Sequence, residues 1–391
     1  MIKFLFIIGL TILTQHKDAD AWLLPCDETI ELKAGDNITL KSPNNPVGSA
    51  GSLCRYKIKA PQGFTITATC KLKIHQDDNG KCSSESFHVM KNGSTDLMGS
   101  EIICGKGKIT RTSRFNELTL AYKSEINTGK FSCSITTNCD CGWSVKSKVV
   151  NGEIAEVNEF ISMAGIVNIL TRTVECGSSI ISPFYALTAA HCFKGSISME
   201  NNVALLVGDH DHSVGNDTSF AALYLIEKIT RHEDYNSVTY ANDIALMKTK
   251  KEIKFNIAVG PACLPYGFAP NHFDENFIVE AAGWGSIEKS FRGKRSEVLR
   301  TVELNTLNIE TCKKHWPNIT PNQVCTFTEG KDTCSGDSGG NLYYRNNKLY
   351  TILIVSFGGE CASKVPAVNT KISAYLPWIE ENTEGAFFCK A

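Results

Sequence analysis

The chain has 391 residues, enough for two or three domains, and 42% are hydrophobic, which supplies folded cores rather than a disordered chain. Lys and Arg number 40 against 41 Asp and Glu, a net charge of −1. That balance gives no general pull toward nucleic acid or an anionic membrane, although a neutral total can hide a local patch.

The chain opens with Lys3, an apolar run from Phe4 to Leu13 and the small-residue stretch Ala19-Asp20-Ala21. This order is that of a cleaved secretion leader, residues 1–21, and the apolar run is too short to span a bilayer. An extracellular protein is therefore expected, with Trp22 near its mature start. All sixteen cysteines follow the leader, as disulfide chemistry in an oxidising compartment requires. Cys139-Asp140-Cys141 and His191-Cys192 do not have the usual zinc spacings, so no metal or other cofactor is expected. Four glycosylation triplets, at Asn37, Asn92, Asn216 and Asn318, agree with secretion.

From about 26 to 136, short runs such as Phe64–Cys70, Phe87–Met90 and Leu118–Tyr122 are punctuated by Gly, Asn, Ser and Asp. That punctuation predicts an all-β sandwich. Cys26, Cys54, Cys82 and Cys104, with Phe87 and Asn92-Gly93 after the third cysteine, resemble a CUB domain. The resemblance implies pairs Cys26–Cys54 and Cys82–Cys104 and a targeting module whose ligand, protein or glycan, is not readable. Many CUB domains hold calcium through an aspartate near the third cysteine. Here Ser86 occupies that place with Glu85 beside it, so calcium binding is not expected. A disulfide-stapled sandwich with no assignable ligand is the competing reading.

Residues 137–148 make a connecting segment. From Val149 to the end, 149–391, many short β-type runs predict a double β-barrel, closed by a short helix over 374–382 with Pro377 in its first turn. Three motifs lie in this part: Leu187-Thr-Ala-Ala-His191-Cys192, Asn242-Asp243-Ile-Ala-Leu246 and Gly336-Asp337-Ser338-Gly339-Gly340. A serine hydroxyl needs an imidazole to take its proton, and the imidazole needs a carboxylate to fix its tautomer. The order His, Asp, Ser excludes an α/β-hydrolase, where the serine comes first.

With those motifs, residues 149–386 resemble the chymotrypsin-like serine proteases. The resemblance implies Ser338 as nucleophile, His191 as general base, Asp243 as its orienter, and the N–H groups of Gly336 and Ser338 as an oxyanion hole. It implies bridges Cys176–Cys192, Cys312–Cys325, Cys334–Cys361 and Cys141–Cys263; Cys70–Cys133 and Cys139–Cys389 complete the count. It also implies cleavage after Lys148, the new ammonium of Val149 then pairing with Asp337. Asp332, six residues before Ser338, would sit at the floor of a pocket for Lys or Arg, with Gly358 at its entrance. Ala367, Phe357 and Glu360 depart from the usual trypsin pattern there. Asp209, His210, Asp211 and His212 read as a solvated polar loop without a second acidic calcium ligand.

The whole arrangement resembles the CUB-serine proteases of insect venom and haemolymph. It implies a secreted zymogen of a Lys/Arg-directed endopeptidase acting on proteins, with an activating protease and serpin-type inhibitors as partners. The alternative is a non-catalytic binding or regulatory protein on a protease fold. Such proteins usually lose the serine or histidine, and both are present here.

Overall fold

Alternation of apolar and polar residues sets the strands of the N-terminal part. In Phe64–Ile74 every second side chain is buried and the threonines and lysines between them face outward. The structure, a computed structural model, describes residues 26–42, 52–126, 128–144, 154–214, 217–288 and 293–390. The leader, Lys148, Val149 and Asn216 lie outside the described residues. The chain passes from one compact unit to a second between Asn138 and Cys139.

The first unit contains β1 (Glu28–Glu31), β2 (Asn37–Lys41), β3 (Ser52–Lys59), β4 (Phe64–Ile74), β5 (Glu85–Met90), β6 (Glu101–Ile103), β7 (Gly105–Thr112), β8 (Glu117–Ser124) and β9 (Lys130–Cys139). They form a sheet in the order β1-β3-β8-β5-β6 and another in the order β2-β9-β4-β7. The two are joined through Phe131 of β9, whose ring lies 5.1 Å from that of Phe87, 6.0 Å from Tyr122 and 6.2 Å from Tyr56. This unit is a β-sandwich, stapled by Cys26–Cys54, Cys70–Cys133 and Cys82–Cys104. Glu85 is buried within it. Burial alone would raise its carboxyl, but donors from His75 N, Gly129 N, Tyr122 Oη and Ser124 Oγ outweigh that and hold it at about 2. With its oxygens so occupied, Glu85 is a strut inside the sandwich.

The second unit contains β10 (Met163–Asn168), β11 (Thr173–Ile180), β12 (Tyr185–Thr188), β13 (Val203–Val207), β14 (Ala222–Arg231), β15 (Ala245–Thr249), β16 (Ile278–Gly283), β17 (Arg300–Leu307), β18 (Gln323–Phe327), β19 (Asn341–Asn346), β20 (Lys348–Phe357) and β21 (Ala367–Lys371). They close into two six-stranded barrels, β10-β11-β12-β15-β14-β13 and β16-β17-β18-β21-β20-β19. Closure leaves no open sheet edge, so strands such as β12 and β20 bury nearly every side chain. Helix α1 (Ile309–Lys313) is capped by Asn308, whose Oδ1 accepts from Thr311 N–H at 2.8 Å. Helix α2 (Leu376–Glu381), with Pro377 in its first turn, places Trp378 and Ile379 in the core of the first barrel. Cys139–Cys389 and Cys141–Cys263 tie the 139–144 segment to this unit. Among the described residues no helix is long and apolar enough to cross a membrane.

Candidate active site

Each candidate side chain is delivered by a strand end. The turn after β12 carries His191, which is buried; the turn before β15 carries Asp243, which is fully buried. His191 Nδ1–H donates to Asp243 Oδ2 at 2.7 Å and its backbone N–H to Oδ1 at 2.8 Å. Ser356 Oγ donates to Oδ2 at 2.5 Å, and Thr370 Oγ1 donates to the Asp243 carbonyl at 2.9 Å. A buried carboxylate requires donors of this kind, and here they also fix the imidazole's orientation. With Nδ1 engaged, Nε2 is the nitrogen left with a basic lone pair.

Ser338 lies in a turn held by both barrels. Its carbonyl accepts from Gly177 N–H of β11 at 2.8 Å, while Gly339 N–H donates to Val355 O of β20 at 2.9 Å. Cys192, beside His191 and bridged to Cys176, has its Sγ 3.7 Å from the Ser338 carbonyl. The turn uses positive φ at Gly336 (102°) and Gly339 (72°). A β-carbon on Gly339 would come within 2.7 Å of Cys192 Sγ, so only glycine fits. Among the described residues neither Gly336 N–H nor Ser338 N–H has a main-chain acceptor. Two free donors on such a turn can receive a developing oxyanion.

Asp337 points away from this face. Its Oδ1 accepts from Gly285 N–H at 2.8 Å and its Oδ2 from Cys334 N–H at 2.9 Å. Burial raises the carboxyl to about 6, while these two N–H groups and the nearby Arg295 guanidinium hold it from rising further. Asp332 is likewise raised to about 6 by burial, with Ala362 N–H (3.1 Å) and Thr333 N–H (2.9 Å) as donors. Both acids line a cavity of about 430 Å³ with Ala282, Gly283, Gly285 and Arg300. Cys334–Cys361 clamps its wall. Gly358 and Ala367 do not line this cavity; a β-carbon on Gly358 would stand 3.4 Å from that of Ala367, and Glu360 is exposed.

Several participants are not evident in the sequence. Ser356 belongs to no motif of its own. Its signal is a lone hydroxyl in the buried run Ile352–Ser356, where a polar group needs a partner. Tyr240 places its ring 5.8 Å from His191 and 5.1 Å from Phe357, which in turn lies 5.1 Å from Trp316. The loop from Asp209 holds the second acid that the sequence does not reveal, which is Asp217. Burial first, then Asp217, raises the Asp209 carboxyl to about 7. Asp217 Oδ2 meanwhile accepts from Asp211 N–H at 2.6 Å and His210 N–H at 3.2 Å. The loop is thus half-buried and built on an acid pair rather than freely solvated. Asn37, Asn92 and Asn318 are all exposed. Cys312–Cys325 completes the bridges, and no cysteine is free.

Two closed barrels with a buried His–Asp pair and a glycine-flanked serine between them define a chymotrypsin-fold protein. The family model for trypsin matches residues 149–379. Venom serine protease 34 of Apis mellifera is 35% identical over 382 residues, 93% of this chain and 89% of its own length. A venom serine protease of Polistes dominula is 35% identical over 260 residues, 65% of this chain and 92% of its own. The proclotting enzyme of Tachypleus tridentatus is 32% identical over 344 residues, 82% of this chain and 88% of its own. The chain belongs to the trypsin family and is a trypsin-like serine endopeptidase.

Proposed function

We propose that this protein is a secreted zymogen, activated by cleavage after Lys148, that hydrolyses protein substrates after Lys or Arg. Its first unit is a CUB-like module that targets the enzyme. Ser338 Oγ attacks the scissile carbonyl while His191 Nε2 takes its proton, and Asp243 stabilises the imidazolium. The N–H groups of Gly336 and Ser338 hold the oxyanion, each worth about 3 kcal/mol in the transition state. Nε2 then gives its proton to the leaving amine, and water releases the acyl group by the same steps. The observation that carries the reading is the doubly held His191–Asp243 pair beside a serine turn with two free N–H donors.

Specificity for a cation rests on Asp332, a carboxylate half-buried at a cavity and satisfied by only two N–H groups. Activation rests on Asp337, whose buried carboxyl lacks a full countercharge until the ammonium of Val149 arrives. Extracellular residence is supported by eight disulfides and by the leader-like first 21 residues. The test is to cut the protein after Lys148 and profile it on a peptide library. Cleavage after Lys and Arg is expected; a preference for large apolar residues would overturn the assignment of Asp332.

Cutting should also change stability in a pH-dependent way. Burial holds the Asp337 carboxyl at about 6, above its ordinary value, so the fold favours its neutral form. That stability is complete below pH 3.8 and is lost as pH rises through about 6, a deficit of about 3 kcal/mol at neutrality. The Val149 ammonium offsets the deficit. Inactive protein cut after Lys148 should therefore melt higher than uncut protein at pH 7.5, with the gap closing toward pH 4.5. A gap independent of pH would refute the pairing.

A further inference from the structure

The outer face of the sheet β2-β9-β4-β7 has an unusual charge pattern. On β4 the outward residues run from Thr65 to Lys73 in steps of two, with Lys71 and Lys73 exposed. Lys71 stands opposite Lys108 of β7, and Lys73 opposite Lys106. On the other side of the sheet Lys41 of β2 is opposite Ser132 of β9, and Lys130 shares the outward side of Ser132. Asn138 bonds Thr65 and Thr67, and Cys133 bridges Cys70, which brings Lys71 and Lys73 level with the Lys130 end of β9. Strands about 4.8 Å apart thus gather six lysines into a patch about 15 Å wide.

Among the described residues of these four strands, no acid shares the face. Its other outward residues on these strands are Ser, Thr and Asn, with pairs such as Thr69–Thr110 bonded at 3.1 Å. Among the described residues, the sandwich's ion pairs join Arg55 to Asp27, Lys57 to Glu117, Lys59 to Glu31 and Arg111 to Glu101, none of them here. The nearest acids, Asp77 and Asp78, lie in the loop beyond β4 rather than on the face, and Asp77 Oδ1 is turned to the N–H groups of Asn79 and Lys81 within that loop. Like charges directly opposite one another destabilise a sheet. Edge lysines that block aggregation account for those on β2 and β7. They do not account for Lys71, Lys73 and Lys130, which sit on the two inner strands.

We propose that this face is a docking site for a sulfated polysaccharide. Multiple sulfates supply the missing countercharge, and sugar hydroxyls match the Ser and Thr rows. Among the described residues of these strands, the face carries no aromatic side chain to stack a nucleic-acid base and no apolar side chain to enter a lipid surface or form a protein-interface core. A net charge of −1 for the whole chain conceals the patch. The inference stands independently of the protease reading.

The test uses the full-length secreted protein, with whatever glycan Asn37 carries at the far end of the face. Wild type should bind heparin-agarose and a sulfated oligosaccharide at physiological salt. The variant Lys71→Gln/Lys73→Gln/Lys106→Gln/Lys108→Gln should bind at least tenfold more weakly, with the slope of log affinity against log salt smaller by about 3. Replacing the same four by Arg should preserve binding, which separates charge from folding. The control Lys250→Gln/Lys251→Gln/Lys313→Gln/Lys314→Gln should retain it, and ester hydrolysis by the cut protein should be unchanged in all. Failure of wild type to bind, equal loss in the control, or stronger binding to phosphatidylserine vesicles or single-stranded DNA would each overturn the proposal.

Discussion

Replacing Ser338 with Ala is expected to lower kcat of the Lys148-cut protein about 10⁶-fold while leaving its fold intact. The fold should survive because the turn is held through its backbone: the Ser338 carbonyl by Gly177, and Gly339 N–H by Val355 O. The activity should not, because without Oγ there is no atom to form the acyl intermediate, and the imidazole of His191 has no proton to take. Some rate over uncatalysed hydrolysis should remain, since the N–H groups of Gly336 and Ser338 still receive the oxyanion. His191→Ala should cost about the same, and the double variant little more than either, because the pair acts as one unit. The measurement is single-turnover and steady-state hydrolysis of a Lys ester, with circular dichroism as the fold control. Ser338→Ala activity within tenfold of wild type, or additive losses in the double variant, would refute the triad.

Why these three residues are readable in sequence, and their supports are not, follows from how local each signal is. The His191, Asp243 and Ser338 motifs each carry their own turn: Ala190–Cys192 forms a single 3₁₀ turn, and Gly336 and Gly339 supply the positive φ that the serine loop needs. The sandwich strands are equally local, since alternation in Phe64–Ile74 is visible residue by residue. Ser356 is different. It reaches Asp243 across 113 positions, and only the packing of the second barrel against the first brings β20 to the turn before β15. Asp217 meets Asp209 through the path of a loop that no periodicity encodes. The lysine face likewise needs the register that sets Lys71 against Lys108, because composition counts charges without positions. Burial, the common cause that lifts Asp332 and Asp337, is also a property of the packed structure alone.

Asp332→Asn should abolish the preference for Lys and Arg. The carboxylate is half-buried at the cavity with only Thr333 N–H and Ala362 N–H for partners, so an incoming ammonium or guanidinium finds a charge that water screens incompletely. With Asn in its place, the substrate cation would be desolvated without a countercharge, a loss of about 3–5 kcal/mol. That corresponds to a fall of about 10²–10⁴ in kcat/KM for Lys and Arg substrates. Substrates with neutral residues at this position should lose little. A pH series adds an independent check. Because burial raises the Asp332 carboxyl to about 6, its charge is acquired as pH rises through that value. The ratio of kcat/KM for a Lys ester to that for a neutral ester should climb over the same range. Any pH effect on the chemical step itself is common to both substrates and divides out. In Asp332→Asn the ratio should be low and flat from pH 5 to 8. A wild-type ratio without this rise, or a variant that still selects Lys and Arg, would remove Asp332 from the specificity pocket.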